Sequence, residues 1–111
     1  MNFEMNLHDE PFRLIKNRTK TIELRLNDER RKGLKIGDTI TFTNRTTLET
    51  MVVKVLNVYE YPNFEELYKH HDKVSMGYNI NDIPNPHDMD IYYTKEQQAQ
   101  YGVIAIEIEV I

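Results

Sequence analysis

Residues 16–38 read KNRTKTIELRLNDERRKGLKIGD, and the fold turns on how this stretch is interpreted. From Ile22 to Leu26 apolar and charged residues alternate, the period of a β-strand with unlike faces. Ile22, Leu24 and Leu26 form the set expected to face inward, and Thr21, Glu23 and Arg25 face the other way. Lys20 has the parity of the apolar set, which places it at the turn before regular alternation begins. Charge is concentrated here: residues 13–35 hold nine Lys or Arg against three acids, a local balance of +6, whereas the net charge of −4 leaves −10 for the remainder. Such asymmetry makes one face attractive to anions.

Working outward, residues 2–8 alternate with Phe3, Met5 and Leu7 on one side, as a half-buried strand does. Asp9-Glu10-Pro11 has the chemistry of a helix start, with Asp9 as the capping acid, and Asn17-Arg18-Thr19 ends that helix. Phe12 and Ile15, three apart, share its buried side. After the quoted stretch, residues 27–32 form a turn capped by Asn27 and closed by Gly33. Residues 39–43 alternate again, and 44–49 make a polar hairpin loop. Residues 50–61 are a strand long enough to bend or change partners before Pro62. Asn63 with Glu66, and Thr94 with Gln97, are capping-box signatures opening two short helices. Residues 72–90 show no period, and Gly77, Pro84 and Pro86 punctuate them, so they are expected to form an irregular loop, either a functional cover or a mobile insert. Residues 103–111 are the last strand, with Ile104, Ile106, Ile108 and Val110 inward. The expectation is one α+β domain over 1–111, a small, mostly antiparallel β-barrel with short flanking helices.

Composition excludes several classes of function. The chain has no cysteine, which removes disulfides and thiolate metal sites. No apolar run approaches the ~18 residues of a spanning helix, and the N-terminus has no signal-peptide shape, so a cytoplasmic protein without membrane contact is expected. His8, His70, His71 and His87 lack metal-ligand spacing, there is no P-loop, dinucleotide fingerprint or nucleophile elbow, and neither metal nor cofactor is implied. Exposed strand edges permit a monomer or a weak homodimer.

The run K-x-x-E-x-R at Lys20, Glu23 and Arg25 follows a short helix and precedes Gly37-Asp38, and Tyr101-Gly102-Val103-Ile104 leads into a terminal apolar strand. Together these features resemble the ASCH domain family of the PUA-like superfamily over nearly the whole chain. In one respect the sequence departs from the signature: the glycine two residues before the lysine is Arg18 here. Glycine there allows a left-handed turn and a ligand's close approach to the backbone; Arg18 makes that approach tighter and adds a positive charge. The resemblance implies a PUA-like barrel with a cleft beside the signature strand and a role with RNA or RNA-derived ligands. One branch of similar fold hydrolyses N4-acetylcytidine with a Lys, a Thr three residues later and a distant Glu. The lysine position is Lys20, the threonine position holds Glu23, and the nearest candidates for the third group are Glu65 and Glu66.

Two readings follow. In the first, the domain binds RNA or a nucleotide-like small molecule. Arg25 holds an anion through its planar fork, Arg18 contacts the ligand from the signature turn, Asn27-Asp28 with the basic run at 30–32 line the cleft mouth, and Tyr78 covers the ligand. Each has a plainer alternative: Arg25 paired with Glu23, Lys20 a solvated turn lysine, and Asp28 with the 30–32 basic run a solvated face. In the second reading Lys20 and Glu23 are catalytic in a hydrolase acting on RNA or a modified nucleoside. A third places the working surface on the acidic remainder, as a protein-interaction domain.

Overall fold

The structure is a computed structural model describing residues 1–111. Five strands, β1 (Asn2–Leu7), β2 (Ile22–Leu26), β3 (Thr39–Asn44), β4 (Thr50–Tyr61) and β5 (Val103–Val110), form one sheet in the order β1-β3-β4-β5-β2. Three short α-helices accompany it, α1 (Asp9–Lys16), α2 (Phe64–Tyr68) and α3 (Lys95–Tyr101), with a 3-10 helix over Pro86–Ile91. Apart from β1 and β3, which run parallel, all neighbouring strands are antiparallel. The sheet curls into a half-barrel rather than closing: β1 and β2 are its two edges and do not pair. As its length requires, β4 changes register at a bulge between Val55 and Asn57, which lets it bend along β5.

β2 and β5 bury both of their faces, in two separate apolar clusters, whereas β1, β3 and the first half of β4 bury one face only. One contains Phe12 and Ile15 of α1 packed against Ile40, Phe42, Val53, Ile104 and Ile106. The other contains Ile22, Leu24 and Leu26 of β2 with Val103, Ala105, Phe64, Leu67 and Met76. This corrects the expected orientation of β2. Across the ladder Glu23 faces Ile106 and Arg25 faces Ile104, so the charged set of β2 shares a face with the main core, and its aliphatic set packs the second cluster. Alternation distinguishes two faces without saying which is which, and α2 with residues 72–93 covers the aliphatic one.

Local chemistry follows the sequence in most places. Thr94 and Gln97 complete a capping box at α3, and Asn63 accepts from the Glu66 N–H at α2. At α2 the reciprocal half is missing, because the Glu66 carboxylate is engaged by Lys69. Two expected caps change identity. Helix α1 begins after His8 without a side-chain cap, while Asp9 instead accepts from Asn44 and pairs with Arg13. The turn after β2 is capped by Asp28, which accepts from the Arg30 N–H, whereas Asn27 donates to Glu60.

Arg18 adopts φ 68°, the left-handed conformation for which glycine is suited, and its side chain is exposed. Arg18→Gly is therefore expected to raise stability by about 0.5–1 kcal/mol, the strain removed exceeding the added chain entropy. Urea unfolding of the two proteins checks this, and a lower midpoint for the glycine variant would show that the arginine side chain contributes to the fold.

Candidate functional site

Lys20, Glu23 and Arg25 come together as the sequence proposes. The Glu23 side chain is 4% exposed, and its two oxygens are divided between Lys20 Nζ at 3.0 Å and Arg25 Nε at 2.7 Å. Lys20 reaches this position because the chain before β2 is irregular: the N–H groups of both Thr21 and Ile22 donate to the Ser75 carbonyl, which interrupts alternation. Gly77 makes the room. A Cβ built there would lie 3.1 Å from Lys20 Cδ, and Gly77 itself has φ 109°. The third member, Arg25, spans the open seam of the half-barrel by donating from Nη2 to the Asn6 carbonyl of β1 at 2.9 Å.

This arrangement sets the charges. Burial alone would raise the Glu23 carboxyl above its ordinary range, but the charges and hydrogen bonds of Lys20 and Arg25 bring it down to about 2. Burial opposes the Arg25 charge, yet the Glu23 carboxylate and the Tyr93 hydroxyl hold that guanidinium above its ordinary value. At neutral pH Glu23 is thus an acceptor and an orienter of two cations, and a poor proton acceptor for catalysis.

Above the triad lies a cavity of about 610 Å³, within the usual range for small-molecule sites. Asn6 and Leu7 at the end of β1, with His8 just after it, line one side, and Glu23, Leu24 and Arg25 of β2 line the other. The cavity therefore occupies the seam between β1 and β2. Residues 72–93 form the opposite wall and contribute Tyr78, Met89, Tyr92 and Tyr93. Far from being structureless, this segment is held by Asx turns at Asp72 and Asn85 and by the 3-10 helix. Tyr78 forms its pivot. Its hydroxyl donates to Asp88 at 2.7 Å and is 2.9 Å from the Tyr68 hydroxyl, and burial foremost pushes its ionisation far upward.

Four of the six expected site residues, Lys20, Glu23, Arg25 and Tyr78, line this cavity, and two do not. Arg18 projects from its left-handed turn beside a separate groove with Glu107 and Glu109, and Asp28 caps its own turn and pairs with Arg31 Nη1 at 2.9 Å. Arg30 and Lys32 are exposed on that same turn, which borders another hollow. Neither Glu65 nor Glu66 reaches the cavity. Sequence reasoning missed Arg45, which is exposed at the cavity and has no ion-pair partner, and the ring-bearing wall residues His8 and His87. Arg45 lies in the loop after β3, and the signal that could have found it was the parallel pairing of β1 with β3, which brings that loop beside Leu7. The cavity lining thus carries three cations (Lys20, Arg25, Arg45) against three carboxylates (Glu10, Glu23, Asp88).

Because the Glu23 pKa is depressed from 4.5 to about 2 on folding, its contribution to stability is complete above pH 4.5 and is lost as the pH falls towards 2. Over that window the native protein is expected to lose on the order of 3 kcal/mol that Glu23→Gln does not lose. At neutral pH Glu23→Gln itself is expected to cost about 3 kcal/mol or more, because two buried cations lose their partner. Urea unfolding of both proteins across the pH range checks both statements, and parallel acid profiles would contradict the first.

Comparison with known proteins agrees with this architecture. Hypothetical protein PH0355, known from a crystal structure, is 33% identical with a TM-score of 0.84, and the match covers 100% of each chain. Protein PF0455 of Pyrococcus furiosus, known from solution NMR, is also 33% identical, with a TM-score of 0.70 over 100% of this chain and 98% of that one. An ASCH domain from Lactobacillus crispatus JV V101 shares the fold at 12% identity, with a TM-score of 0.64 over 98% of this chain and 79% of its own. No curated protein matches the chain. The sequence model of the ASCH domain matches residues 5–111, and with that match over a half-barrel carrying K-x-x-E-x-R at Lys20, Glu23 and Arg25, the chain belongs to the ASCH domain family.

Proposed function

We propose that this ASCH domain is a binding module for a nucleoside-sized ligand, held in the seam cavity between the Lys20–Glu23–Arg25 floor and the aromatic wall of residues 72–93. The observation that carries this reading is the balance of the cavity: three cations against three carboxylates, beside a wall bearing Tyr78, Tyr92 and Tyr93. A site for a polyphosphate chain needs a net excess of cations. A balanced site with aromatic walls suits a flat, uncharged or singly charged ring, which can stack for roughly 1–3 kcal/mol per base. The basic residues that would guide a longer RNA are dispersed instead: Arg13, Lys16, Arg31 and Lys35 each pair with a nearby carboxylate, and Arg18, Arg30 and Lys32 lie away from the cavity. In an RNA the same cavity would take one unstacked nucleotide.

Binding is preferred to hydrolysis because both Lys20 and Glu23 are committed to an ion pair, and a carboxylate occupies the position where the amidohydrolase branch has its hydroxyl. Turnover of N4-acetylcytidine or cleavage of short RNA by the pure protein would reverse that preference. A cytoplasmic protein acting as a monomer or weak homodimer is part of the same proposal.

The test is calorimetric titration with nucleosides, mononucleotides and a short single-stranded RNA at several salt concentrations. Nucleosides are expected to bind with almost no dependence on salt, and RNA with a log–log slope no steeper than about −1. A slope of several units would mean that a track of phosphates, not this cavity, is the binding surface. Arg25→Lys keeps the charge but loses the fork that reaches both Glu23 and Asn6, and it is expected to weaken nucleoside binding roughly tenfold or more.

A further inference from the structure

The hydrogen bonds of β2 show which of its main-chain groups are left over. Asn27 N–H donates to the Gly102 carbonyl and Ile108 N–H to the Thr21 carbonyl, so the odd-numbered residues of this segment carry the ladder to β5. Successive residues of a strand turn their N–H and C=O to opposite sides, which directs those of Ile22, Leu24 and Leu26 to the other edge. β2 has no second neighbour in the sheet. The Ile22 N–H is taken by the Ser75 carbonyl at 2.9 Å. Leu26 does not line the cavity. Leu24 does line it, its side chain belongs to the second apolar cluster, and neither its N–H nor its C=O has a hydrogen-bond partner in the protein. Facing it across the seam, the Asn6 carbonyl is occupied by Arg25.

An unpaired donor and acceptor on one residue is costly when enclosed, and almost all such groups in folded proteins find a partner. We propose that the main chain of Leu24 reads the hydrogen-bonding edge of the ligand's ring, so that the site selects a planar heterocycle presenting a donor and an acceptor side by side, as a cyclic amide or amidine does. This rests on the nucleoside-binding reading of the cavity and names the part of the nucleoside that is gripped. In strand geometry the N–H and C=O of one residue point the same way, and such an edge offers them complementary groups in one plane. The neighbouring residues define the rest of the grip: Glu23 and Arg25 flank the ring edge, and Tyr78 and Tyr93 bound it from the opposite wall. An added peptide strand is not favoured, since a strand needs several consecutive free residues along an edge and the cavity offers Leu24 alone between the bond at Ile22 and the Arg25 crossing to Asn6.

The experiment is residue-resolved amide hydrogen exchange by NMR on the unaltered protein, free and with saturating uridine, N3-methyluridine or 2-pyridone, a simple cyclic amide. In the free protein the Leu24 amide is expected to exchange faster than those of Glu23 and Arg25, which are bonded to β5. Uridine should slow Leu24 exchange roughly tenfold or more without a comparable change at Glu23 or Arg25. N3-methyluridine, whose ring edge has lost its donor, should bind roughly tenfold to a hundredfold more weakly. If uridine binds but leaves Leu24 exchange unchanged, or if the methylated ring binds as well, the Leu24 assignment falls and the nucleoside site stands. If no nucleoside binds but 2-pyridone protects Leu24, the assignment stands and the nucleoside reading falls. Absence of binding by all three removes both.

Discussion

A buried carboxylate shared between two cations is the interaction on which the cavity's walls depend. Ionised Glu23 could not remain in the sheet interior without Lys20 and Arg25, and neither cation would stay there without it. Each partner is in turn fixed by a different part of the chain. Lys20 is packed against Gly77 of the covering segment, and Arg25 crosses to the Asn6 carbonyl on the opposite edge strand. One ionic cluster therefore joins β2, β1 and residues 72–93, the three pieces that enclose the cavity. Taking one charge away unsettles all of them, so the triad holds together the walls of the cavity that it lines.

The same cluster explains why the half-barrel stays open. Two edge strands brought side by side would ordinarily pair their main chains. Here a guanidinium lies across the gap and takes the Asn6 carbonyl of β1, so the strands are linked at a point and remain apart elsewhere. The resulting hollow is walled by polar main chain on its edges and by aromatic rings opposite, a combination that neither a packed core nor a flat surface provides.

Much of this was legible in the sequence. Alternation located every strand but β4, which its Val- and Tyr-rich composition and Pro62 marked, the Thr94 and Asn63 caps located two helices, and K-x-x-E-x-R named three residues that share the cavity. What could not be read has physical causes. The two faces of β2 are both buried, so its alternation could not say that Glu23 and Arg25, rather than the leucines, share the side of the main core. Residues 72–90 have no hydrophobic period because the side chains of Asp72, Asp82 and Asn85 hold them by accepting from main-chain N–H groups, and such bonds leave only a bias in composition. The basic run at 30–32 was close to the triad in sequence but is carried off by a turn that Asp28 caps, while Arg45 was distant in sequence and arrives through the parallel pairing of β1 and β3.

The pairing of β2 with β5 has a consequence for how the domain comes into being on the ribosome. Within the sheet β2 pairs with Val103–Val110 alone, so the ladder that aligns Glu23 and Arg25 cannot form until those residues have been synthesised. Contacts between segments so far apart in the chain close late and slowly. The nascent protein can form the β3–β4 hairpin early, but the seam cavity is complete only once β5 docks and brings β2 into the sheet.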